Sequence, residues 1–130
     1  MTLVGFLQRL MTNPKPLNPM QEFVDRIPVP ATVTTFDAEE PIILAANKLH
    51  ERLTGYKSAD LVGKSPRIFK GATTDLEVSR TIKEELRNYH FCSLPITNYK
   101  ADGTTYNFIL SVCGVIIEGN AFYCALKRTA

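Results

Sequence analysis

Leu53-Thr54-Gly55-Tyr56, Gly63-Lys64-Ser65-Pro66-Arg67 and Asn98-Tyr99-Lys100-Ala101-Asp102-Gly103, with Asn107 close behind, follow one another along this chain. Each run carries a stop or turn signal. Gly55 can close a helix in the left-handed conformation at no steric cost, and Gly63 repeats the device. Ser65 offers an N-cap hydroxyl, and Pro66 suits a first helical position, where its missing N–H would have gone unpaired. Asp102-Gly103 is a hairpin signal.

Working outward from these marks, residues 47–54 and 58–62 read as short helices. Thr74 with Glu77 forms a capping box that opens a longer helix to about residue 88, carrying Leu76, Val78, Ile82 and Leu86 on one side. The β-branched run 31–36 and the run 42–46 after Pro41 read as two strands paired through the turn between them. Three more strands follow the long helix, one running through Cys92 to Asn98, then 106–117 and about 121–128. Cys92, Leu94, Ile96 and Asn98 share one parity. Strand alternation places Asn107 with Ile109, Ser111 and Cys113 on the same interior face as Asn98. Tyr106, Phe108, Leu110 and Val112 then fall on the outer face, a patch that should not stay wet.

The 130 residues, 45% apolar and 22% charged, suit one soluble globular core. Prolines 14, 16, 19, 28 and 30 break up the start of the chain, so residues 1–30 read as an extension and residues 31–130 as the folded domain. Within the extension, Leu3, Val4, Phe6, Leu7, Leu10 and Met11 lie at helical spacing over residues 2–11, and residues 20–26 offer a further turn or two. A net charge of +2 with scattered Lys and Arg does not suggest a nucleic-acid surface. No apolar run approaches a membrane span, and residues 1–10 lack a signal-peptide pattern. Cys92, Cys113 and Cys124 form no metal-ligand spacing, lie in strand-like runs where buried thiols are common, and suggest a reducing, cytoplasmic setting. His50 and His90, the only histidines, have no partner at a triad spacing; both read as surface or boundary residues, and an enzyme is not expected.

Over residues 31–128 the element order and the three quoted runs resemble a PAS domain of the light-oxygen-voltage (LOV) type. The resemblance implies an α+β fold, a five-stranded antiparallel sheet with short helices on one face, and an FMN held between sheet and helices by polar groups on an apolar wall. Asn98 and Asn107 match the two strand asparagines of that family, and Ile96 and Ile109, on the same interior face, would belong to the cofactor site. Both amides need partners, which a flavin would supply; each other, the backbone or buried water are the alternatives. Arg67 matches a phosphate-contacting arginine, Lys70 stands where a glutamine usually meets the ribityl chain, and Lys83 lies near a second basic position, so the three form a candidate phosphate site.

The departures matter as much. In the family the middle run normally reads Gly-x-Asn-Cys-Arg, and its cysteine forms a light-driven bond to the flavin; here Ser65 replaces the asparagine and Pro66 the cysteine. A pyrrolidine ring has no thiol. The last-strand glutamine that relays the state of the flavin is matched by Lys127, or by Leu126 if the alignment slips by one, and lysine donates but cannot accept. The connection from Asp37 to Pro41 is also short. The expectation is a stand-alone sensory or regulatory module without adduct chemistry, binding FMN non-covalently and signalling as a homodimer through the N-terminal helix and the outer sheet face, or to another partner. The alternatives are a flavin-free PAS domain serving as an interaction or small-ligand module, and a flavin redox protein.

Overall fold

Asn18 opens the first helix: its side-chain oxygen accepts from the backbone N–H groups of Met20 and Gln21, with Pro19 at the first helical position. A computed structural model describes residues 2–5, 7 and 18–129. In chain order these give α1 (Pro19–Asp25), β1 (Ala31–Thr35), β2 (Ile43–Ala46), α2 (Lys48–Thr54), α3 (Ser58–Leu61), a 3-10 turn (Pro66–Phe69), α4 (Leu76–Tyr89), β3 (Phe91–Tyr99), β4 (Thr105–Ile117) and β5 (Asn120–Thr129). The strands form one antiparallel sheet in the order β2-β1-β5-β4-β3. This is the expected α+β architecture.

The helix stops lie where the sequence marks them. Gly55 ends α2 at φ 77°, and Gly63 follows α3 at φ 89°. The Ser65 hydroxyl accepts from the Arg67 N–H at the head of the 3-10 turn, with Pro66 as its first residue. One cap differs. Asp75, not Thr74, caps α4 by accepting from the Glu77 N–H at 2.8 Å, while the Thr74 hydroxyl accepts from the Gly71 N–H. An ionised carboxylate is a strong cap, so the helix begins one residue later than the Thr74 box implies. Leu76 is then mostly exposed, and Ser79, Ile82 and Leu86 supply the inward stripe.

The sheet is covered on its inner face and over part of its outer face. On the outer face α1 lays Met20 and Val24 against Ala31, Val33, Ala45 and Phe122. Asn47 ties this half together. Its side-chain oxygen accepts from Ala31 and His50 backbone N–H groups, and its amide NH2 donates to the carbonyls of Val24, Ile27 and Val29. On the inner face lie α2, α3, the 3-10 turn and α4, with Ile43, Leu61 and Phe69 in one cluster and Leu86, Cys92, Val112 and Tyr123 in another.

The register of the β3–β4 hairpin corrects the sequence reading of β4. Tyr99 pairs with Thr105, so Asn98 faces Tyr106 and Ile96 faces Phe108. Residues on one face of such a pair therefore share even numbers. Tyr106, Phe108, Leu110 and Val112 point inward, and Asn107, Ile109, Ser111 and Cys113 lie on the outer face. That part of the outer face is a polar ladder: Thr97 donates to Asn107 at 2.5 Å, Ser93 and Ser111 hydroxyls lie 2.9 Å apart, and Arg128 reaches Ser111. The apolar patch expected there is part of the core instead. Of the helix expected over residues 2–11, Leu3, Val4, Gly5 and Leu7 are helical, with Leu3, Val4 and Leu7 exposed; Phe6 and residues 8–11 lie outside the described residues.

Candidate functional site

Between the inner sheet face and the 3-10 turn and α4 lies a cavity of about 130 Å³. Its walls are largely apolar, drawn from Phe69, Ile82, Leu86, Ile96, Leu110 and Val112. Polar groups reach it from Thr32, Thr34, Ser65, Ser79, Asn98 and Lys127. Seven of the expected site residues thus line one space: Ser65, Pro66, Arg67, Lys70, Lys83, Ile96 and Asn98, with Lys127 as the eighth. Asn107 and Ile109 do not, because the hairpin register turns them to the opposite face.

Arg67, Lys70 and Lys83 all line the cavity. Burial, then the nearby Lys83 and Arg67 charges, hold the Lys70 ammonium below the usual lysine range. Glu39 also lines the cavity and is paired with Arg87, while Glu40 lies 3.9 Å from Arg67 in an exposed, weak ion pair. The short Asp37–Pro41 connection holds these glutamates in place, because the Asp37 carboxylate accepts from the N–H groups of Glu39 and Glu40.

Lys127 is the unusual member. It sits on β5 opposite Leu110, points into the interior and is 4% exposed. Its ammonium lies 3.8 Å from the centre of the Phe69 ring and donates to the Tyr106 hydroxyl at 3.0 Å. Tyr106 stacks on Phe108 at 4.9 Å and is hydrogen-bonded to Asn98 as well. Phe69 is in turn met edge-on by His50 and Tyr56. Burial pulls the Lys127 pKa down to about 7 and pushes that of Tyr106 up to about 12.

His50, read from sequence as a surface or boundary residue, is fully buried, and both ring nitrogens lack a hydrogen-bond partner among the described residues. Burial first and the Lys127 charge second lower its pKa to about 2. The folded protein therefore holds a neutral imidazole, whereas the unfolded chain takes a proton near pH 6.5. Stability present above that pH is lost as the solution is acidified, by about 2 kcal/mol between pH 7 and pH 5. His50→Leu should flatten this acid limb in urea melts; an unchanged limb would show that the imidazole is hydrated in the fold. His90 does lie at the surface, in the left-handed cap of α4, with Nδ1 3.0 Å from the Tyr123 hydroxyl.

Tyr56, Phe69, Tyr106 and Phe108 stand around Lys127 or its Phe69 seat without being among the expected site residues. Their signal was an aromatic at the end of the 3-10 turn and two aromatics spaced by two in a strand. The three cysteines are free and none lines the cavity; burial raises the thiol pKa of Cys92 to about 11 and of Cys124 to about 12. Among the described residues no cluster of His, Cys, Asp and Glu could hold a metal ion, and no helix is long and apolar enough to cross a membrane.

The pocket does not fit an isoalloxazine ring as it stands. Drug-sized ligands occupy clefts of about 300–1,000 Å³, well above the 130 Å³ here. One of the two expected amides faces away, and the other is already bonded to Tyr106. The space between short helices and sheet is filled by Lys127, Phe69, Tyr106 and Phe108.

Residues 30–127 match the family model for a PAS domain. The chain is 29% identical over 89 residues to a blue-light-activated histidine kinase of Brucella anthropi, covering 68% of this chain and 18% of the relative. It is 24% identical over 97 residues to protein TWIN LOV 1 of Arabidopsis thaliana, covering 74% and 24%. The chain spans less than a quarter of the length of these relatives. In fold it is similar to the Rhodobacter sphaeroides LOV protein, with a TM-score of 0.73 at 19% identity over 84% of this chain and 63% of that one. The LOV domain of an Erythrobacter litoralis blue-light activated histidine kinase gives 0.69 at 23% identity over 78% and 95%.

Proposed function

Because the chain belongs to the PAS domain family, we propose that it is a LOV-like sensory or regulatory module whose input is occupancy of the interior cavity, not cysteinyl–flavin photochemistry. The observation that carries this reading is the Lys127 ammonium seated over Phe69 in the interior, on the side of the sheet that Pro66 faces without a thiol. A ligand there touches the 3-10 turn, α4 and the three strands β3, β4 and β5 at once. Its presence would be relayed to the sheet through Lys127 and Asn98, and output would pass by surface contact, in a homodimer or to another protein. Light scattering on the full chain against one starting at Asn18 tests the homodimer; an unchanged mass would remove the N-terminal helix from it.

Non-covalent FMN binding is the second reading, favoured by the Arg67, Lys70 and Lys83 cluster, which suits a phosphate. It requires Lys127 to leave its seat and the cavity to widen. Pro66→Cys separates the two. The variant should fold with a loss of less than about 1 kcal/mol, stay colourless with added FMN, and show no absorbance change on illumination. A bleaching flavin band in that variant would establish that the cavity opens to the ring and that only the thiol is missing.

A further inference from the structure

We propose that the cavity binds a small apolar monocarboxylic acid, a single ring or short branched chain, with its carboxylate paired to the Lys127 ammonium. This rests on the reading that cavity occupancy is the input, and it names the ligand class. Charge points to an anion. Four cationic side chains line the cavity, Arg67, Lys70, Lys83 and Lys127, against one carboxylate, Glu39, which is already paired with Arg87. Lys127 is the most deeply placed of the four and carries three donors, of which one is spent on Tyr106 among the described residues. Among the described residues no carboxylate pairs with it. An ammonium in a low-dielectric interior gains far more from an anionic partner than one in water.

A second, independent feature also asks for a ligand. Ser79 lines the cavity from α4, and its hydroxyl oxygen is sealed from solvent without a hydrogen-bond partner among the described residues. An unpaired buried hydroxyl is costly, and a polar group on a bound molecule would satisfy it. Size and wall chemistry set the rest. A cavity of about 150 Å³ holds one benzene ring, so the 130 Å³ here admits a body of that order. The walls that would meet that body, Ile82, Leu86, Leu110, Val112 and Ala125, are aliphatic. A dicarboxylate or a sugar would leave polar groups against them, and a long acyl chain would not fit.

Calorimetric titration of the full chain with benzoate and its neutral isostere benzamide tests the proposal, with thermal shifts in the presence of xenon as a control for cavity access. The expected result is benzoate binding about tenfold or more tighter than benzamide in the wild type, with the preference abolished in Lys127→Met and retained in Lys57→Gln, whose side chain is exposed outside the cavity. Equal binding of the two probes would overturn the carboxylate assignment while leaving an accessible cavity. A benzoate preference that survives Lys127→Met but disappears in Lys83→Gln would overturn it by placing the anion at the outer cations. Binding of neither probe would overturn it too, and a missing xenon shift would show that the cavity reading had failed with it.

Discussion

Lys127→Met should make the protein more stable at pH 6, by about 2–4 kcal/mol in urea denaturation. Methionine keeps the unbranched stem and its packing against Phe69 and Phe108, and it removes a charge that burial disfavours. The sign with pH follows from linkage. In the unfolded chain the lysine holds its proton to about pH 10.5, whereas in the folded protein it releases it near pH 7. Between these values the unfolded state binds more protons, so wild-type stability rises with pH, by about 1.4 kcal/mol per unit. The penalty is fully present below pH 7 and fades toward pH 10. The advantage of the methionine variant should therefore shrink steadily from pH 7 to pH 9. A variant less stable than wild type at pH 6, with a difference that ignores pH, would show that Lys127 is solvated or paired in the fold.

Asn47→Ala should cost about 3–4 kcal/mol, because one side chain serves five backbone groups. It caps α2, holds the first N–H of β1 and collects three carbonyls from α1 and the segment after it. Loss of an N-cap alone costs about 0.5–2 kcal/mol. Each buried group left unpaired adds about 1–3 kcal/mol where water cannot replace the side chain. Asn47→Asp should keep the two accepted bonds but set a buried carboxylate oxygen against three carbonyl oxygens, so it should be no more stable than alanine. The check is chemical denaturation combined with hydrogen exchange: the Ala31 and His50 amides should lose protection in the alanine variant. Retained protection at both would place the strength of this junction in the apolar contacts of Met20 and Val24 instead.

The order of the elements was legible because it is written in local signals. Gly55, Gly63, Ser65-Pro66 and Asp102-Gly103 act within one turn of themselves, and each stop or turn falls where it was read. The inward parity of β3 was legible too, since Cys92, Leu94, Ile96 and Asn98 alternate with Ser93, Pro95 and Thr97. The parity of β4 was not. Its run from Tyr106 to Cys113 offers an apolar or mildly polar set on either face, so only the hairpin register decides, and that depends on five residues between Tyr99 and Thr105. One residue of slip would have exchanged Asn107 for Tyr106 inside. His50 illustrates a different gap. A lone histidine on a seven-residue helix looks like surface, and its burial comes from Phe69 and the neighbourhood of Lys127, which no local pattern reveals. The basic trio was legible only through the resemblance to the LOV family, whereas the aromatic filling around Lys127 needed the sheet to be assembled.

Absorption spectroscopy of the full chain, purified as expressed and again after refolding with excess FMN, bears most directly on whether the seat of a flavin is taken by the protein's own side chains. With Lys127 over Phe69 and Asn98 held by Tyr106, the spectrum after removal of free FMN should show only the protein's aromatic absorption. A structured blue band at one flavin per chain would contradict this and require Lys127 to vacate the interior.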